Sequence, residues 1–383
     1  MIKGIKVQLK PNNKQNSKLL QSAGTARWAY NFALAKQEEN YTLKDTNTSG
    51  GKFISDNDLR KELTILKKTE EFKWLNNYSN NITKQAIKDC CDAYIRFFNK
   101  LSDKPKFKSS KKSKPSFYQD AYKIKFTQTH VRLEKIGWVK LTEYNRIPID
   151  TKYYNPRISY DGVHWYISVG IEISQIPIEL TNDSIGIDLG VKVLAVCSNK
   201  EEPYKNINKT KTVKKLEKKL KRLQRKVSKK YEKNKDGRSY IKTKNIIKLE
   251  KNIKKIHKRL DNIRTDNRHK VTTEIVKTKP SRIVMESLNI SGMLKNKHLS
   301  KAIAECGLYK FKETIKYKAK IYKIEFVEAD KWYPSSKTCS ECGYVKPKLS
   351  LSERTFVCEC CKTVIDRDKN ASINLSRYVP IVA

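Results

Sequence analysis

Apolar and polar residues alternate at the start of the chain, and this spacing then gives way to a helical one. Ile5, Val7 and Leu9 predict an opening strand, because successive side chains of a strand point to opposite faces. From about Lys18 to Glu38 the apolar residues fall on one side of a helix, and a second long helix is predicted from about Thr83 to Leu101. The N-terminal part therefore predicts one strand followed by a helical region.

Short strands return between Tyr122 and Ile173. The segment HWYISVGIEI alternates again, and Asp161-Gly162 marks a turn. We expect a small β-domain here, to which the N-terminal strand could add. The preceding residues 105–117 are rich in Pro, Ser and Lys and cannot form a core, so they predict a linker that either contacts nucleic acid or is merely solvated.

A strict apolar pattern underlies the lysine-rich and arginine-rich stretch between residues 212 and 263. Apolar residues step by three and four on both sides of Asp236-Gly237, for example from Leu216 to Leu220. This spacing predicts two antiparallel helices that are joined by a turn and share a narrow dry face. The remaining faces carry Lys and Arg and suit a groove for phosphates, whereas the alternative is a solvated structural hairpin.

The charge of the chain indicates which partner these elements serve. Lys and Arg total 82 against 40 Asp and Glu, so the formal net charge is +42 and a polyanion is the natural partner. No run of about 18 apolar residues is present, which favours nucleic acid over a membrane. The N-terminus shows no signal-peptide core, and we expect a cytoplasmic protein whose cysteines stay reduced.

Carboxylates occur at three notable places in apolar segments. Asp188 is the single acid within SIGIDLGVKVLAV, where a lone carboxylate is costly to bury, and Gly186 beside it leaves room for a backbone or ligand. Glu286 ends a second predicted strand, SRIVMES, and either Asp366 or Asp368 opens a final helix.

Phosphodiester hydrolysis with two metal ions needs several carboxylates from different parts of a fold, which hold two Mg²⁺ about 3.5–4 Å apart. The order found here is an acid on a first strand, an acid that ends a later strand and an acid at the start of a final helix. That order matches the RNase H fold. We therefore predict a nuclease site formed by Asp188, Glu286 and one of Asp366 and Asp368.

Four of the nine cysteines are spaced like metal ligands. Cys339 and Cys342 form a C-x2-C pair, and after fifteen residues Cys358 and Cys361 form another. Four thiolates around tetrahedral Zn²⁺ explain this spacing, and such a closed site is structural. Cys360 is the fallback ligand in the second pair.

Together these motifs resemble the TnpB (OrfB) proteins of bacterial insertion sequences, which are relatives of the compact type V CRISPR effector nucleases. The resemblance covers nearly the whole chain and rests on GIDLG at 186–190, VMESLNISGML at 284–294, YKAKIYKIEFVEADKWYPSSKTCSECG at 317–343 and FVCECCKTVIDRDKNASINL at 356–375. We call the four-cysteine segment at 337–362 the zinc knuckle. Lys362 departs from the family pattern, since glycine often follows the last cysteine of the knuckle in the family.

The resemblance implies an RNA-guided DNA endonuclease that is encoded by a transposable element. Such proteins bind a guide RNA made from the element's own end and recognise a short motif beside the target. They then cut both strands of double-stranded DNA with one RuvC site. Carried onto this chain, Asp188, Glu286 and Asp368 become the catalytic residues and Mg²⁺ ligands, with Asp368 chosen because the family's last acid precedes x-Asn-Ala.

The resemblance also implies an α+β multidomain fold with an RNase H-like (RuvC) nuclease domain. The implied parts are a β-barrel wedge domain at 1–15 and 119–178, a helical recognition lobe at 16–118, the nuclease domain at 179–336 and 363–383 with its basic helical hairpin at 212–263, and a zinc-ribbon insert at 337–362 that binds target nucleic acid.

Two other functions remain open from the sequence. A guide-dependent regulator of transposition or transcription would bind DNA without cutting it, although the intact carboxylates argue against this reading. A DNA transposase would use similar carboxylates for strand transfer, and carboxylates alone do not separate it from a nuclease.

Overall fold

A computed structural model of the chain describes residues 1–44, 53–174, 178–237, 239–350 and 352–380. Residues 45–52 of the predicted helical lobe and 381–383 of the predicted nuclease domain lie outside the described residues. The chain divides into two compact units, unit 1 (Met1–Ser174) and unit 2 (Gln175–Ala383). No helix among the described residues is long and apolar enough to cross a bilayer.

The described residues of unit 1 form a seven-stranded sheet and three α-helices. Its elements are β1 (Ile2–Lys10), α1 (Asn13–Lys44), α2 (Asp56–Leu66), α3 (Asn80–Phe98), β2 (Ser116–Tyr118), β3 (Lys125–Phe126), β4 (His130–Leu133), β5 (Gly137–Leu141), β6 (Tyr153–Tyr160) and β7 (Trp165–Glu172). The predicted opening strand and the two long helices are confirmed. Helix α2 was missed, although Ser55 and Asp58 form an N-cap pair at its start.

The N-terminal strand lies at the centre of the sheet of unit 1. The strand order is β2-β6-β7-β1-β5-β4-β3, and β1 pairs antiparallel with β7 along its length and with β5 at its end. One hydrophobic core contains buried residues of both the helices and the sheet, such as Leu34, Ile87 and Ile167. The wedge domain and the recognition lobe therefore share a core, and the division between them, like the barrel form, stays a prediction.

Unit 2 contains a second sheet with helices on both faces. Its elements are β8 (Ser184–Leu189), β9 (Val193–Cys197), β10 (Tyr204–Lys205), α4 (Lys211–Lys233), β11 (Lys235–Asp236), β12 (Ser239–Tyr240), α5 (Lys244–Lys277), β13 (Arg282–Glu286), α6 (Ile290–Leu294), α7 (Ser300–Cys306), α8 (Leu308–Tyr322), β14 (Glu325–Ala329), β15 (Thr355–Val357), β16 (Val364–Asp366) and α9 (Arg367–Ser376).

The sheet of unit 2 has the order β10-β9-β8-β13-β14. Strands β8, β13 and β14 are parallel neighbours, and β9 runs antiparallel to β8. Because side chains alternate along a strand, Ile187 and Met285 face a core that includes Ile275 of α5 and Phe311 of α8. Val284 points to the opposite face and packs with Leu375 of α9.

The predicted basic hairpin is confirmed as helices α4 and α5, which β11 and β12 connect. Val213, Ile256 and Leu260 form the buried centre of their contact. Helix α5 continues beyond the predicted end at residue 263, because Ile275 and its neighbours pack against the sheet. The first part of α5 packs against α4 through a narrow apolar stripe, whereas its last part packs against the sheet. The spacing of apolar residues therefore changes along the helix.

Candidate active site and metal centre

Asp188 and Glu286 come together because their strands are adjacent and parallel. The recorded pairs run from Arg282 opposite Ser184 to Met285 opposite Ile187, so the next step places Glu286 beside Asp188. Both residues lie near the carboxyl ends of their strands and are partly exposed. The sheet alone therefore aligns two of the three predicted acids.

Helix α9 adds the third acid by crossing the sheet at Gly186. A Cβ at this position would lie 2.0 Å from the Ser372 carbonyl oxygen and 2.4 Å from the Ser376 nitrogen. The expected close approach of a backbone at Gly186 is therefore confirmed. Asp368 precedes Ser372 by about one helical turn, and Asp188 follows Gly186 by two residues on the same face, which brings the two carboxylates near each other.

The pKa of Asp188 reflects its burial and the nearby charges of the other two acids. Burial, followed by the charges of Asp368 and Glu286, raises the pKa of Asp188 to about 8. Burial also raises the pKa of Glu286. Carboxylates that repel one another in a poorly hydrated place are stabilised by a divalent cation, so this donor set fits Mg²⁺.

The two candidates for the last acid make different contacts. The Asp366 side chain caps α9 by accepting the backbone N–H groups of Asp368 and Lys369, both at 3.0 Å. Asp368 instead accepts from Arg367 Nη2 at 3.1 Å and lies 3.6 Å from Arg354 Nη1. Asp366 thus caps α9 and the charge of Asp368 acts on Asp188, whereas the choice of Asp368 as the last acid of the site stays a prediction.

Lys369 is a site-supporting residue that the sequence did not single out. Its Nζ donates to the carbonyl oxygens of Cys197, Ser198 and Lys200 at 2.8–3.2 Å. These bonds fasten the first turn of α9 to the segment after β9. Neither this contact nor that of Arg354 has a local sequence signal, because each arises from segments that are distant in the chain.

The predicted zinc ligands converge as well. One thiol sulfur from each of Cys339, Cys342, Cys358 and Cys361 lies within 4.8 Å of the others. Cys360 is exposed and stands outside this group. The Thr363 hydroxyl lies 3.1 Å from the Cys361 sulfur and helps to hold it in this group. The four sulfurs therefore fit a structural Zn²⁺ ion.

The two turns of the knuckle differ in one respect. Gly343 follows the first cysteine pair with φ 77°, whereas Lys362 follows the second pair with φ 60°. A left-handed conformation suits glycine but costs other residues of order 1 kcal/mol. The departure of Lys362 from the family pattern thus corresponds to a strained turn.

Lys362→Gly is expected to slow zinc release, because the substitution removes this strain while the turn keeps its shape. A gain of about 0.5–1 kcal/mol corresponds to a two- to fivefold slower release. Transfer of zinc to a chelating dye measures the rate. Lys348→Gly, an exposed lysine in the same knuckle, is the control. Unchanged or faster release from Lys362→Gly would contradict the expectation.

The raised pKa of Asp188 also predicts a pH dependence of stability. Because the folded state holds this proton up to about pH 8 and the unfolded state releases it near pH 3.8, the associated stability is present at low pH and lost as the pH rises through 8. Asp188→Asn should therefore match the metal-free protein near pH 4. Towards pH 8 this variant should become progressively more stable than the unmodified protein. The gain should be about 1.4 kcal/mol for each unit by which folding raises the pKa of Asp188.

Denaturant unfolding at several pH values tests this difference. Glu201→Gln, which changes an exposed carboxylate of the same unit, is the control and should show no such growth. Saturating Mg²⁺ should reduce the difference in stability between Asp188→Asn and the unmodified protein, since a bound cation offsets the repulsion between the carboxylates. A difference that is independent of pH would contradict the prediction.

Three family models match the chain. The Cas12f1-like TNB domain matches residues 309–375, the OrfB_IS605 model, described as a probable transposase, matches 168–297, and an OrfB_IS605 helix-turn-helix domain matches 1–45. The described part of the last stretch forms β1 and the continuous helix α1.

Two relatives align over nearly the whole chain. A protein of Streptomyces pristinaespiralis named "Putative RNA-guided DNA endonuclease" is 28% identical, covering 97% of this chain and 88% of its own. The similarly named InsQ of Escherichia coli is also 28% identical, covering 98% and 91%.

The fold is similar to that of Cas12f1 in a complex with sgRNA and target DNA. The TM-score is 0.54 at 15% identity, with 98% of both chains covered. This likeness concerns the mixed α/β fold alone. The chain is thus similar to OrfB_IS605 proteins over residues 1–45 and 168–297, and to two relatives named as putative RNA-guided DNA endonucleases over nearly its whole length.

Proposed function

We propose that this chain is an RNA-guided DNA endonuclease, encoded by a transposable element, that cuts double-stranded DNA through a single RuvC-like site. The observation that carries the proposal is the convergence of Asp188, Glu286 and Asp368 at one edge of the sheet of unit 2. The names of the full-length relatives support the same activity.

Asp188, Glu286 and Asp368 would hold two Mg²⁺ ions in this proposal. When bound, the ions activate a water molecule and stabilise the leaving oxygen of the phosphodiester. Asp188 and Glu286 are fixed by paired strands, and Lys369 fixes the turn that carries Asp368. The protein thus contributes a preformed carboxylate arrangement with little freedom to rearrange.

Other parts of the chain bind the nucleic acids in this proposal. Helices α4 and α5 bury a narrow apolar contact and leave lysine and arginine exposed on their other faces, which suits phosphate binding. In the proposed arrangement, the wedge-like domain and the helical lobe of unit 1 bind the guide RNA, which derives from the element end, and the motif beside the target. The zinc knuckle handles the target strand.

The test uses protein purified with its co-expressed RNA. Sequencing of the bound RNA should give one discrete species, and a plasmid library with a matching target and randomised flanks should be cut beside a short motif. EDTA should stop cutting, and Mg²⁺ should restore it. A random RNA sample, or cutting that ignores the guide match, would overturn the proposal.

A transposase is the second candidate, favoured by the description of the OrfB_IS605 family model. The same reactions distinguish it, because strand transfer joins a donor end to the target whereas hydrolysis leaves free ends. Guide-dependent binding without any cleavage would instead select a DNA-binding regulator.

A further inference from the structure

The side chain of Asn370 lies in the first turn of α9, two residues after Asp368, and is fully buried. Its Oδ1 accepts the backbone N–H of Ser340 at 2.9 Å, and its Nδ2 donates to the carbonyl oxygen of Thr338 at 2.7 Å. Thr338 and Ser340 are the immediate neighbours of the zinc ligand Cys339. One amide therefore joins the helix of the third carboxylate to the first turn of the zinc knuckle.

A second amide repeats this contact one helical turn later. Asn374 Nδ2 donates to the carbonyl oxygens of Ser335 at 2.7 Å and Thr338 at 2.6 Å. The Arg377 guanidinium donates to the carbonyl oxygen of Ser340. Buried polar groups that are satisfied in this way hold two segments in one arrangement, because leaving such groups unpaired is costly.

The knuckle also reaches the carboxylate site along the chain. Strand β16 begins three residues after Cys361 and ends at Asp366, which caps α9. Within the ribbon, Thr355 pairs with Asp366 and Val357 with Val364. The zinc ligands and Asp368 are thus linked by a covalent route through β16 and by a hydrogen-bonded route through Asn370.

We propose that Asn370 is a positioning residue that couples the zinc knuckle to the carboxylate site. Zinc on the four thiolates fixes residues 338–340, these residues fix Asn370, and Asn370 fixes the turn from which Asp368 points at Asp188. The inference rests on the proposed role of Asp368 as a metal ligand. Because coupling between two sites is reciprocal, a divalent cation at the carboxylates must in turn stabilise the zinc site.

The test measures zinc release from the full-length protein with its bound RNA and without target DNA. Transfer of zinc to a chelating dye is followed with and without saturating Mg²⁺. In the unmodified protein, Mg²⁺ should slow release about fivefold or more, the lower end of typical coupling between sites. Asp188→Asn weakens the cation site and should reduce this response.

Asn370→Ala removes both hydrogen bonds to the knuckle. Zinc release should become faster and should respond to Mg²⁺ much less than in the unmodified protein, the remainder passing through Asn374 and β16. Asn370→Asp keeps the acceptor for the Ser340 N–H and donates to Thr338 only when its carboxyl group is protonated, so the response to Mg²⁺ should be partial at low pH and fall as this group ionises. Tyr333→Phe is the matched control, since it removes a hydrogen bond to the Asn374 carbonyl oxygen but leaves residues 338–340 untouched.

The outcomes separate this inference from the proposed function. A response to Mg²⁺ in Asn370→Ala that is as large as in the unmodified protein would overturn the role of Asn370. Guided cleavage together with zinc release that ignores Mg²⁺ in the unmodified protein would overturn the coupling and leave the nuclease function intact. Zinc release that responds to Mg²⁺ in a protein that does not cleave guide-matched DNA would support the coupling and overturn the nuclease function.

Discussion

Asp188→Ala is expected to lower the rate of guided DNA cleavage by a factor on the order of a thousand or more. The charges of Asp368 and Glu286 act on Asp188, which would ligate metal in the proposed site. Loss of a ligand should exceed the roughly 10–100-fold cost of losing an outer hydrogen-bond partner. Binding of guide RNA should persist, because the substitution removes a carboxylate that its acidic neighbours repel and leaves the basic hairpin intact.

The measurement is single-turnover cleavage of a guide-matched plasmid, accompanied by RNA-binding titration. Glu201→Ala, an exposed acid of the same unit, is the matched control and should cut at the normal rate. Cleavage by Asp188→Ala at more than about a tenth of the normal rate would refute the assignment. Loss of RNA binding in that variant would show instead that its effect is on the fold.

Gly186→Ala is expected to destabilise unit 2 by about 3 kcal/mol or more. The added methyl group would meet the backbone of α9 at Ser372 and Ser376 and the Leu375 Cβ at 2.8 Å. Backbone atoms cannot turn away as a flexible side chain can, so the whole helix must shift, and overpacking typically costs about 1–3 kcal/mol even where side chains yield. Any shift of α9 also moves Asp368 away from Asp188.

Denaturant unfolding should therefore show a lower midpoint, and any protein that remains folded should cut slowly. Gly4→Ala is the matched control, because a Cβ at Gly4 meets nothing within 4 Å and its backbone is likewise in a strand. Similar midpoints for the two variants would mean that α9 is held less tightly against β8 than the geometry implies.

Elements that depend on the spacing of neighbouring residues could be predicted from the sequence. The alternation at Ile5, Val7 and Leu9 predicted β1, and the steps of three and four predicted the α4–α5 hairpin, because burial of one face imposes a short period on the chain. The paired cysteines were identified for the same reason, since one ion constrains ligands within each turn.

Boundaries and extra elements were less predictable. Helix α5 extends to Lys277 and α2 was missed, because in both places the packing partner lies elsewhere in the chain and widens or replaces the local apolar stripe. Local pattern therefore indicated the type of element better than its end.

The sequence by itself determined the chemical inventory of this protein: a strongly basic chain, four cysteines in two pairs, and single acids within or at the end of apolar segments. Only the tertiary structure decided how these groups act together. Asp366 became a helix cap and Asp368 the neighbour of Asp188, Gly186 became the crossing point of α9, and Asn370 joined the helix to the knuckle. These roles depend on contacts between distant segments, and no local spacing encodes such contacts.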